Sequence, residues 1–317
     1  MHSHLSILTT LFNLRDTLSA LITRITDQPQ EAITKGIVLY NLGEFSQAKS
    51  YLTIGATAGD RASLYALAEV IRRQAGSITE EAKNWYRLAG AQDHVYALMR
   101  LGDEASLKKA KELAQTEADK GNADAMLELY ELNQNIEALR KAADAGSLEG
   151  QYILAVKYDK DESLIADSRL RRATIDLLLR NAAEAGFPKA MHWYSNRFPI
   201  NQNLPLRRQW LEKRAELNDV NGVLDYGLGL CGFYEDDNGV DKEYGFSRNL
   251  VKGYGLIWLV VETTAELSRH TTAKQCLEET AKEMTTDQIA AAKTFAQQWK
   301  KSHPPMSEYR LAYSDVV

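Results

Sequence analysis

The chain has 317 residues, of which 44% are hydrophobic and 26% charged, and its formal net charge is −5. That length is ample for a sizeable core, in two domains or one extended one. The acidic balance disfavours general nucleic-acid binding, which is dominated by phosphate neutralisation and needs a basic face. No run approaches the ~18 apolar residues that span a bilayer, so no transmembrane segment is expected.

Residues 1–27 read as an N-terminal capping helix. Leu5, Leu8, Leu11, Phe12, Leu18, Leu21, Ile22 and Ile25 recur at three- and four-residue steps, the mark of one apolar helix face. Asn13, Arg15 and Asp16 interrupt the apolar start, which argues against a signal peptide. The expected location is the periplasm if a leader precedes the given chain, and the cytoplasm otherwise.

From 28 to 284 one pattern returns about seven times. Anchors at Gln28, Gly59, Asp93, Gly121, Gly146, Gly186 and Asn218 are followed four positions on by a small residue (Ala32, Ser63, Ala97, Ala125, Gly150, Ala190, Gly222). After most of them a large residue stands eight positions on (Leu67, Leu101, Leu129, Leu154, Tyr194, Tyr226). The mean spacing is about 32 residues, a helical-repeat period. Each unit closes on a second helical stretch, such as "EEAKNWYRLAGAQD", "IEALRKAADAGS" or "DLLLRNAAEAGF", and most end on Gly or Asn, which tolerate the left-handed C-cap. Each unit is therefore two antiparallel helices, with small residues where backbones approach and large ones between units. Gly253 and Gly255 would each cost roughly 1 kcal/mol inside a helix. They are expected at the start of a second helix, where bulk would push the pair apart.

Two arginine clusters, Arg169, Arg171, Arg172 and Arg207, Arg208, Lys213, Arg214, read as solvated helix faces or contacts to an acidic partner segment. Cys231 and Cys276 are the two cysteines. They fit either one bridge clamping the C-terminal module or two free thiols, and match no zinc spacing. Gly227, Gly229 and Gly232 spell the dinucleotide pattern G-x-G-x-x-G, but helix-patterned residues precede them and a loop follows, the reverse of what a pyrophosphate site needs. In "EDDNGVD", Gly239 is misplaced for a calcium loop, which leaves an acidic turn between helices. The six histidines show no H-E-x-x-H spacing, no G-x-S-x-G elbow occurs, and neither cysteine has a histidine nearby in sequence. No catalytic, cofactor-binding or metal-ligating residue is assigned, and no enzyme is expected.

The helix pairs resemble Sel-one-like repeats, relatives of tetratricopeptide repeats. The resemblance is carried by "KNWYRLAG" and "RNAAEAG", and most of all by "CGFYEDDNGV" followed by "NLVKGYGLIWLVVE". "MTTDQIAAAKTFAQQWKK" is similar to the capping helix that closes such proteins, here 285–302 with Thr286 as candidate N-cap and Trp299 packing back; 303–317 is a tail. The likeness implies an all-α, right-handed solenoid whose first helices line a concave binding side. By spacing, Tyr65, Glu69, Tyr130, Glu131, Tyr152, His192 and Asn196 fall there as partner-binding candidates, and Tyr234, Glu235, Asp236 and Asp237 form a protruding acidic and aromatic loop. These are expected to meet a protein with a basic or amphipathic element. Such repeat proteins are generally adaptors, and several kinds are immunity proteins that block a secreted toxin, including lipase-type effectors of the type VI secretion system. An immunity or inhibitor role is the leading expectation. A scaffold in the envelope or in signalling, a cell-wall glycan-binding module and a weak hydrolase are its competitors.

Overall fold

The computed structural model describes residues 29–197 and 203–309. The expected capping helix at 1–27 and the end of the tail, 310–317, lie outside the described residues. Among the described residues every regular element is helical, and successive helices pack in pairs: α1 (29–42) with α2 (Phe45–Thr57), α3 (Arg61–Ala75) with α4 (Glu80–Ala91), and α5 (Val95–Leu101) with α6 (Glu104–Ala118). The series continues as α7 (Ala123–Asn133) with α8 (Ile136–Asp144), α9 (Leu148–Lys160) with α10 (Ser168–Glu184), α11 (Pro188–Asn196) with α12 (Leu204–Glu216), and α13 (Val220–Leu230) with α14 (Leu250–Thr263). Two further helices, α15 (His270–Ala281) and α16 (Thr286–Ser302), pack on α14. The architecture is an all-α solenoid.

Six of the repeat anchors are turn residues, and Gln28 lies outside the described residues. Gly59, Asp93, Gly121, Gly146, Gly186 and Asn218 all have positive φ, from 55° to 96°. At the glycines and Asp93 the next amide donates back to the carbonyl five residues up the chain (for example Ser147 to Ala142, 2.9 Å), the bond of a Schellman C-cap. That next residue is also the N-cap of the following helix. Asp60, His94, Asn122, Ser147 and Asp219 each accept a backbone amide on their side chain, satisfying a donor the helix leaves open. One short turn thus ends a second helix and starts the next first helix in a fixed register.

Small residues set how closely the helices approach. A Cβ on Gly222 would stand 2.9 Å from the backbone carbon of Arg214. On Gly253 it would stand 2.5 Å from the Cys231 sulfur and 2.8 Å from the Gly227 carbonyl oxygen, and on Gly255 2.6 Å from the Ala292 carbonyl oxygen. α14 therefore runs with glycine contacts on two sides, one against α13 and one against α16. Trp299 is buried on the same core. The N-cap of α16 is Thr285, not Thr286: Thr285 is extended (φ −78°, ψ 161°) and forms a capping box with Gln288, a pairing that requires Glu or Gln three residues after the cap.

The first unit also touches the last, so the solenoid closes after one turn. The Ser46 amide donates to Glu266 (3.0 Å), and the Glu266 amide donates to Glu44 (2.9 Å). Residues 303–309 lie across the seam: the Glu308 and Tyr309 amides donate to the Asn41 carbonyl (2.7 and 2.8 Å). The Tyr309 ring packs on Phe45 with centroids 5.6 Å apart, and the Arg73 guanidinium lies 5.0 Å from its centre. Leu42 of α1 shares a buried cluster with Val223, Leu224 and Met306.

Candidate functional site

The first helices form one side of the solenoid, and counting from the N-caps puts the candidate residues in register. Tyr65, Tyr152 and His192 each follow their N-cap by five residues, whereas Glu69, Glu131 and Asn196 follow by nine. The structure distributes them unequally between core and surface. Tyr65, Glu69, Tyr130 and Tyr152 are buried, Glu131 is half-buried, and His192 and Asn196 are exposed.

Glu69 sits fully buried at the centre of a polar network. It accepts from the Arg72 guanidinium (2.7 Å), from Arg100 of the next unit (2.8 Å) and from the Tyr86 hydroxyl (2.6 Å). Burial first, and then the Glu69 charge, push the Tyr86 phenol above its usual range. Tyr65 stacks on His94 with centroids 4.3 Å apart. Burial, followed by the charge of Arg61, pushes the His94 imidazole down to about 4, so it caps α5 as a neutral acceptor. These residues join α3, α4 and α5 through charge and rings held inside the stack.

The open part of the first-helix side lies one register earlier. Tyr96, Asp124 and Glu149 each stand two residues after their N-caps His94, Asn122 and Ser147. With Leu127, Glu128 and Leu148 they line a cleft of about 610 Å³ across the N-terminal turns of α5, α7 and α9. Burial, then the Asp124 charge, raise the Glu128 carboxyl to about 7. Burial and the charges of Glu131, Glu128 and Glu149 raise the Tyr96 phenol well beyond its usual range. The cleft is thus a tyrosine surrounded by carboxylates in a partly dry setting, which favours a cation. Reading single residues one step off the packing positions missed Tyr96, Asp124, Glu128 and Glu149; aligning units on their N-caps brings three of them together.

On α11, His192 and Asn196 share a hydrogen bond (3.0 Å) and line a second cleft of about 610 Å³ with Arg172, Trp193 and Arg197. Arg197 is paired with Asp159 (3.2 Å) and Asp176.

The 231–249 loop is ordered from within. Buried Asp241 accepts the amides of Glu243, Tyr244 and Phe246 (2.8 to 3.0 Å). Tyr234 is half-buried, its hydroxyl 3.4 Å from Asp225, and Glu235 is paired with Arg248 (2.8 Å). Asp236 accepts the Asn238 and Val240 amides (3.0 and 3.1 Å), which leaves Asp237 as the exposed acid of the four candidates. The second arginine cluster does not form a solvated face. Arg207 and Arg214 are buried; Arg207 is paired with Glu243 and Arg214 with Asp219 (2.6 Å), while Arg208 donates to the Gly245 carbonyl (2.7 Å). Arg207 and Arg208 turn inward because the loop supplies acceptors there, and Arg214 because the N-cap of α13 does. Gly227 and Gly229 lie inside α13 and contact Ile257 and Phe246, so the glycine pattern ends a helix instead of opening one. Cys231 and Cys276 are free thiols, and burial pushes the Cys231 thiol up to about 11. Among the described residues no group of three His, Cys, Asp or Glu side chains is placed to hold a metal ion, and no helix is long and apolar enough to cross a membrane.

No family model matches the chain, and no curated protein matches it. Among solved structures it is similar to a protective antigen present in uropathogenic Escherichia coli strains that displays an SLR fold, with 19% identity and a TM-score of 0.47 over 89% of this chain and 63% of that one. It is also similar to a Sel1 repeat protein from Oxalobacter formigenes, with 13% identity and a TM-score of 0.36 over 80% of this chain and all of that one. The chain spans less than two thirds of the length of the antigen.

Proposed function

We propose that this chain is a protein-binding scaffold whose first-helix side holds a partner. The observation that supports this reading most directly is the cleft of about 610 Å³ shared by three consecutive first helices, lined by tyrosine, leucine and carboxylates. An aromatic floor with a polar rim is the composition of interfaces that hold a partner through a few anchors. His192, Asn196 and Asp237 add exposed polar contacts elsewhere on the surface.

Within that reading we favour an inhibitor role, in which the partner is a secreted bacterial toxin blocked by occupation of its surface. The support for this narrower step is the sequence resemblance carried by residues 220–302. A scaffold in the envelope or in signalling uses the same cleft with a different partner. The test is to capture partners with the tagged full chain from lysate of the cells that make it, and to assay any stoichiometric, salt-resistant partner alone and in complex. Loss of the partner's activity in the complex supports inhibition. A stoichiometric partner that stays active supports the adaptor role, and no stoichiometric protein overturns the scaffold reading.

A further inference from the structure

Residues 304–309 show how an extended segment sits on this solenoid. They cross the N-terminal turn of α13, where the Ser307 amide donates to the Asn218 carbonyl (3.2 Å) and the Val220 amide donates to the Ser307 carbonyl (3.1 Å). The Asn218 side chain donates to the Pro304 carbonyl (2.7 Å), and Asn221 donates to the Glu308 carboxylate (2.8 Å). The contacts run from the left-handed anchor residue Asn218, through the N-cap Asp219, to the second helical residue Asn221.

The same register recurs at α9, where Gly146, Ser147, Leu148 and Glu149 stand in for Asn218, Asp219, Val220 and Asn221. At α7 it runs through Gly121, Asn122, Ala123 and Asp124. There the backbone groups that bind Ser307 in the last unit are unused: the carbonyls of Gly146 and Gly121 and the amides of Leu148 and Ala123 make no hydrogen bond among the described residues. They border the cleft lined by Tyr96, Asp124, Glu128 and Glu149. At the last unit the side chain of the seated segment is acidic, and Asp219, Arg269 and Arg214 all act on the Glu308 carboxyl. At the cleft the lining is acidic; Arg61 acts on Glu128 from a distance, but neither Asp124 nor Glu128 has a cation in ion-pair contact among the described residues.

We propose that the cleft takes an extended basic segment of a partner protein, laid across the N-terminal turns of α7 and α9 as residues 304–309 lie across that of α13. The segment's backbone pairs with the open carbonyl and amide of each turn, and a lysine or arginine lies over the Tyr96 ring among the three carboxylates. Cation–π attraction and charge act together there. The backbone bonds require an extended strand, a mode of recognition in which main-chain bonds supply affinity and alternate side chains supply choice.

This inference rests on the scaffold reading. It is tested by fluorescence anisotropy of the full chain with labelled short glycine–serine peptides that carry paired arginines, paired glutamates or neither. Only the arginine peptide is expected to bind. Its affinity should fall about tenfold or more in the Asp124→Asn, Glu128→Gln, Glu149→Gln variant. Proline at the centre of the peptide should weaken it again, because proline lacks the amide that donates. A control that neutralises Glu104, Glu112 and Glu117 on α6 removes the same charge elsewhere and should leave binding unchanged. Equal loss in control and cleft variants, or indifference to proline, overturns the proposal, as does failure of the arginine peptide to bind. If the cleft variant still captures the partner that the unaltered chain captures, the proposal falls and the scaffold reading stands; if the unaltered chain captures none, both fall.

Discussion

Replacing Glu69 by glutamine should destabilise the chain without touching its surface. Glu69 is fully buried, and its carboxylate faces Arg72 (2.7 Å) and Arg100 (2.8 Å), whose side chains are only 18% and 14% exposed. Removing one partner of a buried ion pair costs about 3–5 kcal/mol, because the remaining charge stays desolvated. Glutamine keeps the volume and one acceptor oxygen for Tyr86, so the lower end applies, about 3 kcal/mol. Unfolding entropy grows with chain length, and for 317 residues that is a fall in melting temperature of about 4–5 °C. Stability in a solenoid is local, so hydrogen exchange is the sharper assay: amides of α3, α4 and α5 should exchange faster, while those of α13, α14 and α16 stay protected. Arg100→Gln should cost less in the Glu69→Gln background than alone, a coupling of about 0.5–3 kcal/mol. A loss below about 1 kcal/mol, or uniform acceleration along the chain, would refute the assignment of Glu69 as the polar hub of units two and three.

Three further outcomes follow from packing and charge. Gly253→Ala should gain up to about 1 kcal/mol of helix propensity but lose about 1–3 kcal/mol to overpacking against the Cys231 sulfur and the Gly227 carbonyl; a variant more stable than the parent in urea contradicts the close α13–α14 approach. The Glu128 carboxyl is raised from 4.5 to about 7, so the folded state holds its proton more tightly. That contribution is full below pH 4.5 and disappears as the pH rises through about 7. The urea midpoint of the parent should therefore fall relative to Glu128→Gln across that window. His94, whose contribution is lost as the pH falls from 6.5 to about 4, is common to both proteins and cancels; a constant difference would place Glu128 in water. Tyr309→Ala removes the ring that lies on Phe45 and under Arg73, interactions worth about 1–2 kcal/mol together. Faster exchange confined to the α1–α2 turn and residues 304–308 is expected, and unchanged exchange there would show that the seam closes without it.

The sequence by itself determined the repeating unit. A left-handed turn residue, a cap and a small fourth residue act over a few positions, so their chemistry is written locally, and Gly253 and Gly255 lie on the packed helix that local reading assigned them. It also showed that the G-x-G-x-x-G stretch was wrongly placed for a nucleotide, since a helix pattern before it settles which way the amides point. Tertiary structure decided what each polar side chain does. Glu69 and Glu131 share a register, yet Glu69 is sealed under Arg100 because the next unit brings an arginine over it. Arg207 and Arg208 look like a basic surface in sequence and turn inward because the loop some thirty residues later returns acceptors to them, while Arg214 turns in to Asp219 at the start of α13. The closure of the solenoid joins Ser46 to Glu266 and Asn41 to Tyr309, pairs whose separation carries no local signal; it depends on the small rotation that each unit adds to the last.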